Sequence, residues 1–419
     1  MGDVVKRAAA LGLAASLVAA ALVVVATGPA EAGPAEPRAA GQPAPDDARL
    51  RSQADWILAA QLPDGAIARH LDRASVSPYL ANYAAMGLAA ATLRTHDPRY
   101  GDAAWRWLAW YGAHQDGHGF VTDYRVVGGE LRSTGDLDST DAYAGTFLMA
   151  AQRTWAATGD LARLRALAPA LSLAVDAIER TQDADGLTWA KPARRVKYLM
   201  DQAEVHAGLA AAADLAGVLG DRALAARAAG DATRVGAGVA ATWNPTTRAY
   251  DWAVHEDGTR VATDWHQLYP DAISQAWAVG LGLVPHDRSA DLLTTLDDAQ
   301  PDWARPEATA TVDGRSRTVG YWAAAAFGFA RLGDGDRAAG AAESIAAAAD
   351  RAGRAWPFNP ADAGQLLVVE AGAAVPERGA PRAVELVALV PRLLLVVAAL
   401  RCGATGARAQ TGAEAPADC

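Results

Sequence analysis

Two acidic pairs stand where helices are predicted to begin. One is Asp138 and Asp141 in Gly135-Asp136-Leu137-Asp138-Ser139-Thr140-Asp141; the other is Asp201 and Glu204 in Tyr198-Leu199-Met200-Asp201-Gln202-Ala203-Glu204. A spacing of three residues sets both members of a pair on one helix face. A third helix opens Leu268-Tyr269-Pro270-Asp271. Carboxylates that face each other can divide acid and base work: one protonates a leaving oxygen while another activates water or attacks a sugar carbon. An acid at a helix start also serves as an N-cap, which accounts for Asp138, Asp201 and Asp271. Capping does not account for Asp141 or Glu204, one turn further in, so these two carry the stronger chemical signal.

Aromatic residues cluster near these acids in the sequence. Trp189, Trp252, Trp265, Tyr269, Trp303 and Trp322 fall in or beside long predicted loops, where a flat ring can stack on a sugar, whereas Trp105, Trp107 and Trp155 lie within helices and are expected in the core. Other chemistries are poorly represented. The eight His form no HxxxH or HExxH spacing, which argues against a zinc centre, and no metal or other cofactor is expected. His206, beside Glu204, reads as a core His with its hydrogen bonds satisfied. There is no Gly-rich phosphate loop and no nucleophile elbow. Asp116-Gly117-His118-Gly119 and Asp257-Gly258 read as ordinary turns, since neither has calcium-loop spacing.

The elements that must position the acids follow from a repeat. Three times a Gln is followed four residues later by a Gly: Gln61 and Gly65, Gln115 and Gly119, Gln182 and Gly186, each at the end of an Ala/Leu-rich amphipathic stretch. Helical periodicity is predicted at 47–62, 79–95, 99–114, 138–158, 160–182, 198–219, 221–243, 270–284, 287–299, 318–332, 334–350 and 380–402. Tight turns at Asp97-Pro98, Thr158-Gly159-Asp160, Leu219-Gly220-Asp221 and Leu332-Gly333-Asp334 place Gly at one helix end and Asp at the next start. Short and long connections alternate, the long ones after odd-numbered helices. Six such hairpins predict an all-α (α/α)6 toroid, with even-numbered helices as the inner ring and their N-termini directed into a funnel.

The chain has 419 residues, 51% of them hydrophobic and many of those Ala, so the larger burial must come from Leu, Val and the 13 Trp. A net charge of −10 without a long basic run argues against a nucleic-acid partner. Residues 1–32 read as a signal peptide: Lys6 and Arg7 precede the apolar run 8–26, and Ala30-Glu31-Ala32 has small-x-small character. An uncleaved N-terminal anchor is the alternative, and the only expected membrane contact. Residues 33–45 read as a Pro/Ala-rich linker, 46–402 as the toroid and 403–419 as a tail. The expected location is therefore secreted or cell-surface, as a monomer. Export would allow Cys402 and Cys419 to pair, although nothing else in the sequence demands it.

The stretch Asp141 to Trp155, DAYAGTFLMAAQRTW, resembles the signature of glycoside hydrolase family 8, the bacterial cellulase and chitosanase type, with a Trp fourteen residues after the Asp. The family has an Asp where this chain has Ser139, and Asp138 is displaced by one. Overall the chain resembles the six-hairpin glycosidase superfamily over 46–402. The resemblance implies cleavage of glycosidic bonds in a polysaccharide or oligosaccharide, with inversion if family 8 is followed. It makes Asp64, where the family carries Glu, or else Glu204, the proton donor; Asp141 or Asp138 activates water and Asp201 positions sugar or water. Asp271 and the six loop aromatics would then bind substrate. The alternative is a non-catalytic glycan-binding or polysaccharide-assembly protein on the same toroid, distinguished by whether a protonated carboxyl stands opposite Asp141. Gln182 to Trp189 also resembles the Gln-x3-Gly-x2-Trp repeat of terpene cyclases, but no Asp-x-Asp-Asp motif accompanies it and an export signal does not suit isoprenoid substrates.

Overall fold

The computed structural model of the protein describes residues 45–372. Twelve α-helices run through them: α1 (Pro45–Ala60), α2 (Pro78–Thr95), α3 (Pro98–Ala113), α4 (Thr140–Thr158), α5 (Leu161–Thr181), α6 (Leu199–Leu219), α7 (Arg222–Ala240), α8 (Asp271–Gly280), α9 (His286–Ala299), α10 (Ala326–Arg331), α11 (Gly335–Arg351) and α12 (Pro360–Glu370). The even-numbered helices pack each against the next, a 3-10 turn at Ala323–Ala325 extends α10, and α12 returns to α2 to close the ring. Odd-numbered helices pack outside their partners. The fold is the all-α (α/α)6 toroid.

Composition explains which helices go inside. Helix α6 buries residues on every side, including Leu199, Ala203, Val205, Leu209, Ala212 and Leu215, and a helix apolar all round belongs in an interior. Small residues then let the inner backbones meet. A Cβ on Gly208 of α6 would lie 2.4 Å from the carbonyl oxygen of Gly145 on α4, and one on Gly87 of α2 would lie 2.4 Å from the Cα of Gly364 on α12. Between the rings, Trp107 is fully buried and its indole N–H donates to Asn82 at 2.9 Å; the Asn82 amide donates in turn to Tyr143 O and Thr146 on α4. Trp105 is likewise buried, and Trp155 packs half-buried against the core.

The Gln–Gly repeat is an architectural joint. Gln61 Nε2 donates to Gly65 O at 3.0 Å and to Ala103 O of α3 at 2.9 Å. Gln115 donates to Ala170 O of α5 at 3.1 Å, and Gln182 to Gly186 O at 2.9 Å and Asp231 O of α7 at 3.4 Å. Each Gln therefore fastens the end of one outer helix to the next outer helix. The Gly of each joint has positive φ and sits so close to the neighbouring helix that a Cβ on Gly119 would come within 2.0 Å of Leu173 O.

All four tight turns form as expected, with Asp97, Asp160, Asp221 and Asp334 as N-caps. The long connections lie at the other end and are laced in pairs by short antiparallel strands. Val76 pairs with Tyr124 and Tyr198 with Ala253, while Tyr269 bridges to Val312 in the hairpin 309–318. That hairpin corrects the helix expected at 318–332: Asp313 and Gly314 both have positive φ at its turn, and helical structure begins only at Ala323. The expected helix 380–402 lies outside the described residues, as do residues 1–44 and both Cys. The ring is closed by Pro360–Glu370, a helix that the sequence pattern does not announce because Pro357 and Pro360 look like loop punctuation. Pro360 is instead the first residue of a helix whose capping box joins Asn359 and Asp362.

Candidate active site

The N-terminal turns of two adjacent inner helices, α4 and α6, bring Asp141, Asp201 and Glu204 close enough for their charges to act on one another at the long-loop end of the ring. Asp138, Asp201 and Asp271, expected as N-caps, are not: the caps are Ser139, Tyr198 and Pro270, and none of them makes a side-chain cap bond. Asp141 is fully buried, accepting from Thr188 Oγ1 at 2.6 Å and from the Ala142 N–H at 2.9 Å. Thr188 is itself held by Gln202, whose Oε1 accepts from the Thr188 N–H at 2.8 Å and whose Nε2 donates to its carbonyl at 3.0 Å. Glu204 is also fully buried, and one oxygen accepts from Tyr79 (2.7 Å), Tyr83 (2.6 Å) and the Trp277 indole (3.0 Å).

Asp201 is different. It keeps 8% exposure, and its Oδ2 is buried without a hydrogen-bond partner, as is Glu204 Oε2. Burial pushes Asp141 and Glu204 up to about 7. Burial, then the charges of Asp141 and Glu204, hold Asp201 well above the ordinary carboxylate range. An interior that strongly disfavours each extra negative ion keeps protons on this cluster.

Above the floor, Asp138 is exposed, 3.9 Å from Lys191. Asp123, which sequence reasoning missed, is half-buried and accepts from the Tyr143 hydroxyl at 2.9 Å; burial raises its pKa. No motif marks Asp123, because only the strand pairing of its loop brings it to the funnel. Tyr79 and Tyr83 were missed despite a legible signal, an i, i+4 pair in the first turns of an inner helix.

Two stacked aromatic pairs, each half-buried, form funnel walls: Tyr198 with Trp252, at 6.1 Å and 3° between planes, and Tyr269 with Trp322, at 4.9 Å and 21°. Trp189 stands half-buried with Lys197 Nζ 4.0 Å from its ring centre, and Asp183 and Asp185 hold that ammonium at 2.8 and 2.7 Å. The remaining sequence candidates have other surroundings. Trp303 is buried to 1%, stacks on Phe329 and donates to Asp297, so it belongs to the packing between α9 and α10 rather than to the funnel. Trp265 ties loops together by donating to Thr247 O at 3.0 Å. Asp271 has both oxygens engaged, by the Asp264 N–H and the Gln267 amide. Asp64 is an exposed turn residue that accepts from the Ala66 N–H and the Trp110 indole. His206 bonds Ala232 O across to α7. Among the described residues no group of three or more His, Cys, Asp or Glu is arranged to hold a metal ion.

No protein-family model matches the sequence, and no curated protein matches it either. Solved structures do match in fold. A glycosidase variant in complex with glucose superposes with a TM-score of 0.57 at 17% identity, over 80% of this chain and 100% of that one. The GH63 mannosylglycerate hydrolase of Thermus thermophilus, in complex with glucose, gives 0.57 at 12% identity, over 78% and 99%. The same hydrolase with Tris bound gives 0.58 at 13% identity, over 77% and 100%.

Proposed function

We propose that the funnel hydrolyses a glycosidic bond of a polysaccharide or oligosaccharide, with Asp201 as proton donor. The observation that carries this is the Asp201 carboxyl: unpartnered at Oδ2, held well above the ordinary carboxylate range by burial and by its two acidic neighbours, and the only one of the three floor acids that keeps any exposure. A proton moves from Asp201 to the leaving oxygen as the bond to the anomeric carbon breaks, while Asp138 takes a proton from the attacking water. Asp141 and Glu204, locked by hydrogen bonds, act on the field around Asp201 rather than on substrate. In the scheme implied by family 8 the donor would be Asp64, but its engagement in the Pro63-Asp64-Gly65 turn favours Asp201. The walls Tyr198, Trp252, Tyr269, Trp322 and Trp189 offer faces for sugar rings. Fold similarity to glycosidases supports the reading, and the signal-like pattern of residues 1–32 supports export.

The test is reducing-sugar release from a panel of soluble polysaccharides and their oligosaccharides by the wild type, Asp201→Asn, Asp138→Asn and Asp64→Asn. Activity lost in the first two variants and kept in the third is the expected result. Retention of a glycan without release from any substrate would overturn hydrolysis and identify a binding or assembly protein. Proton NMR of the first-formed anomer tests inversion, the outcome that the family 8 resemblance implies.

A further inference from the structure

Trp356 is 59% exposed, the one exposed aromatic among the large hydrophobic residues at the surface of the described chain. It lies in the connection between α11 and α12, an outer-to-inner loop like the others that shape the funnel. The loop is tied down rather than loose. His70 bonds Arg354 O at 3.0 Å, the Arg354 guanidinium bonds Ser52 O at 3.1 Å and Asp350 at 2.8 Å, and Phe358 is buried against Trp56. The Arg69 guanidinium stands 5.2 Å from the Trp356 ring centre and orients the indole, while its Nε is buried with no hydrogen-bond partner.

These groups continue into the funnel. The Arg69 N–H donates to Ser75 O at 2.8 Å and Val76 pairs with Tyr124, next to Asp123; Asp123 accepts from Tyr143 at 2.9 Å, Tyr143 stacks on Tyr79 at 5.9 Å, and Tyr79 donates to Glu204 at 2.7 Å. Backbone pairing and side-chain contacts thus connect the segment that carries Arg69 with the residues around the floor acids. Leaving a Trp face in water has an unfavourable hydration cost that a flat, partly apolar ligand would relieve.

We infer that Trp356 and Arg69 form a distal glycan subsite at the funnel mouth, which stacks a sugar ring on the indole and gives its hydroxyls a guanidinium donor, so that the protein takes chains rather than disaccharides. The inference rests on reading the funnel as a glycan site. Binding, unlike turnover, tests it independently of hydrolysis. The probes are soluble starch, laminarin, xylan and hydroxyethyl cellulose in affinity electrophoresis, followed by tryptophan-fluorescence titration with the disaccharide and hexasaccharide of whichever polymer retards the protein. For Trp356→Ala the hexasaccharide should bind about tenfold more weakly, with disaccharide binding and thermal midpoint unchanged, as expected for an exposed side chain. Arg69→Ala should likewise weaken hexasaccharide binding and spare disaccharide binding, and Trp356→Tyr should restore most of the binding. Unchanged hexasaccharide binding, equal losses for both lengths, or no retardation of the wild type on any polymer would overturn the subsite. Absence of sugar release alone would sink hydrolysis and leave this result standing.

Discussion

The two ends of the toroid use the same residue at the same kind of position to opposite effect. At the short-turn end, Asp97, Asp160, Asp221 and Asp334 cap outer helices, accepting from the N–H of Arg99, Arg163, Leu224 and Arg337 at 2.9–3.1 Å. Arg99 beside Asp97 holds that carboxyl below its usual range. At the long-loop end, Asp141 and Asp201 also stand in first helical turns, but they are buried, and the groups that act on them are hydroxyls, backbone N–H and further acids rather than cations. Their carboxyls are pushed up. A helix start favours a carboxylate by a modest amount, so what decides the charge is whether water reaches it. Caps stabilise and do nothing else, whereas the floor acids hold protons at a cost to the fold.

The contrast can be broken most directly at Asp201. Asp201→Asn should lower sugar release by about 10²–10⁴-fold, the usual worth of a general acid, while its thermal midpoint stays level or rises because an amide is buried without having to take up a proton. A midpoint that collapses together with activity would mean that Asp201 holds the ring rather than serving the chemistry.

The second effect is on pH. Asp141 and Glu204 have folded values near 7, above their ordinary 3.8 and 4.5, so the native state binds protons more tightly than the unfolded chain. Their contribution is fully present at low pH and is lost as pH rises toward and through about 7. Calorimetry across that window should show a falling midpoint, and Asp141→Asn with Glu204→Gln should make the fall shallower, the remainder belonging to other buried acids such as Asp201 and Asp362. A rising midpoint in the wild type would contradict protonated floor acids.

Smaller effects test the scaffold that the two ends share. Gly208→Ala forces a methyl against the backbone of Gly145 and should destabilise by ~1–3 kcal/mol in denaturant titration, with sugar release per folded molecule reduced because the floor acids shift. Asp221→Ala removes a cap and should cost ~1 kcal/mol by the same measurement, with sugar release unchanged. If the cap variant altered catalysis, the separation of the two ends would fail.

Much of the scaffold is legible in order. Helix positions follow from Ala/Leu periodicity, the caps from Gly-Asp and Asp-Pro turns, and the inner ring from the alternation of short and long loops, because each of these depends on residues within about one helical turn. The Gln–Gly repeat is visible as a repeat, but its role as a joint is not: the partner carbonyl of Gln61 is 42 residues away on α3. The last helix escapes a sequence reading because two prolines look like loop, when one of them is a helix start.

By itself the sequence determined that this chain makes helical hairpins, that Asp and Glu recur in the first turns of alternate helices, and that aromatic residues crowd the long loops. Tertiary structure decided which of those residues meet. Glu204 takes a hydrogen bond from Tyr79 across 125 positions and another from Trp277 across 73, Asp141 takes one from Thr188 across 47, and Asp123 reaches the funnel through strand pairing. It also placed Trp303 in the core and Trp356 in water, although both lie in loops. The physical reason is range: helix propensity and capping are settled between near neighbours, whereas burial, and with it the proton affinity of a carboxylate, depends on ring closure by helices far apart in the chain.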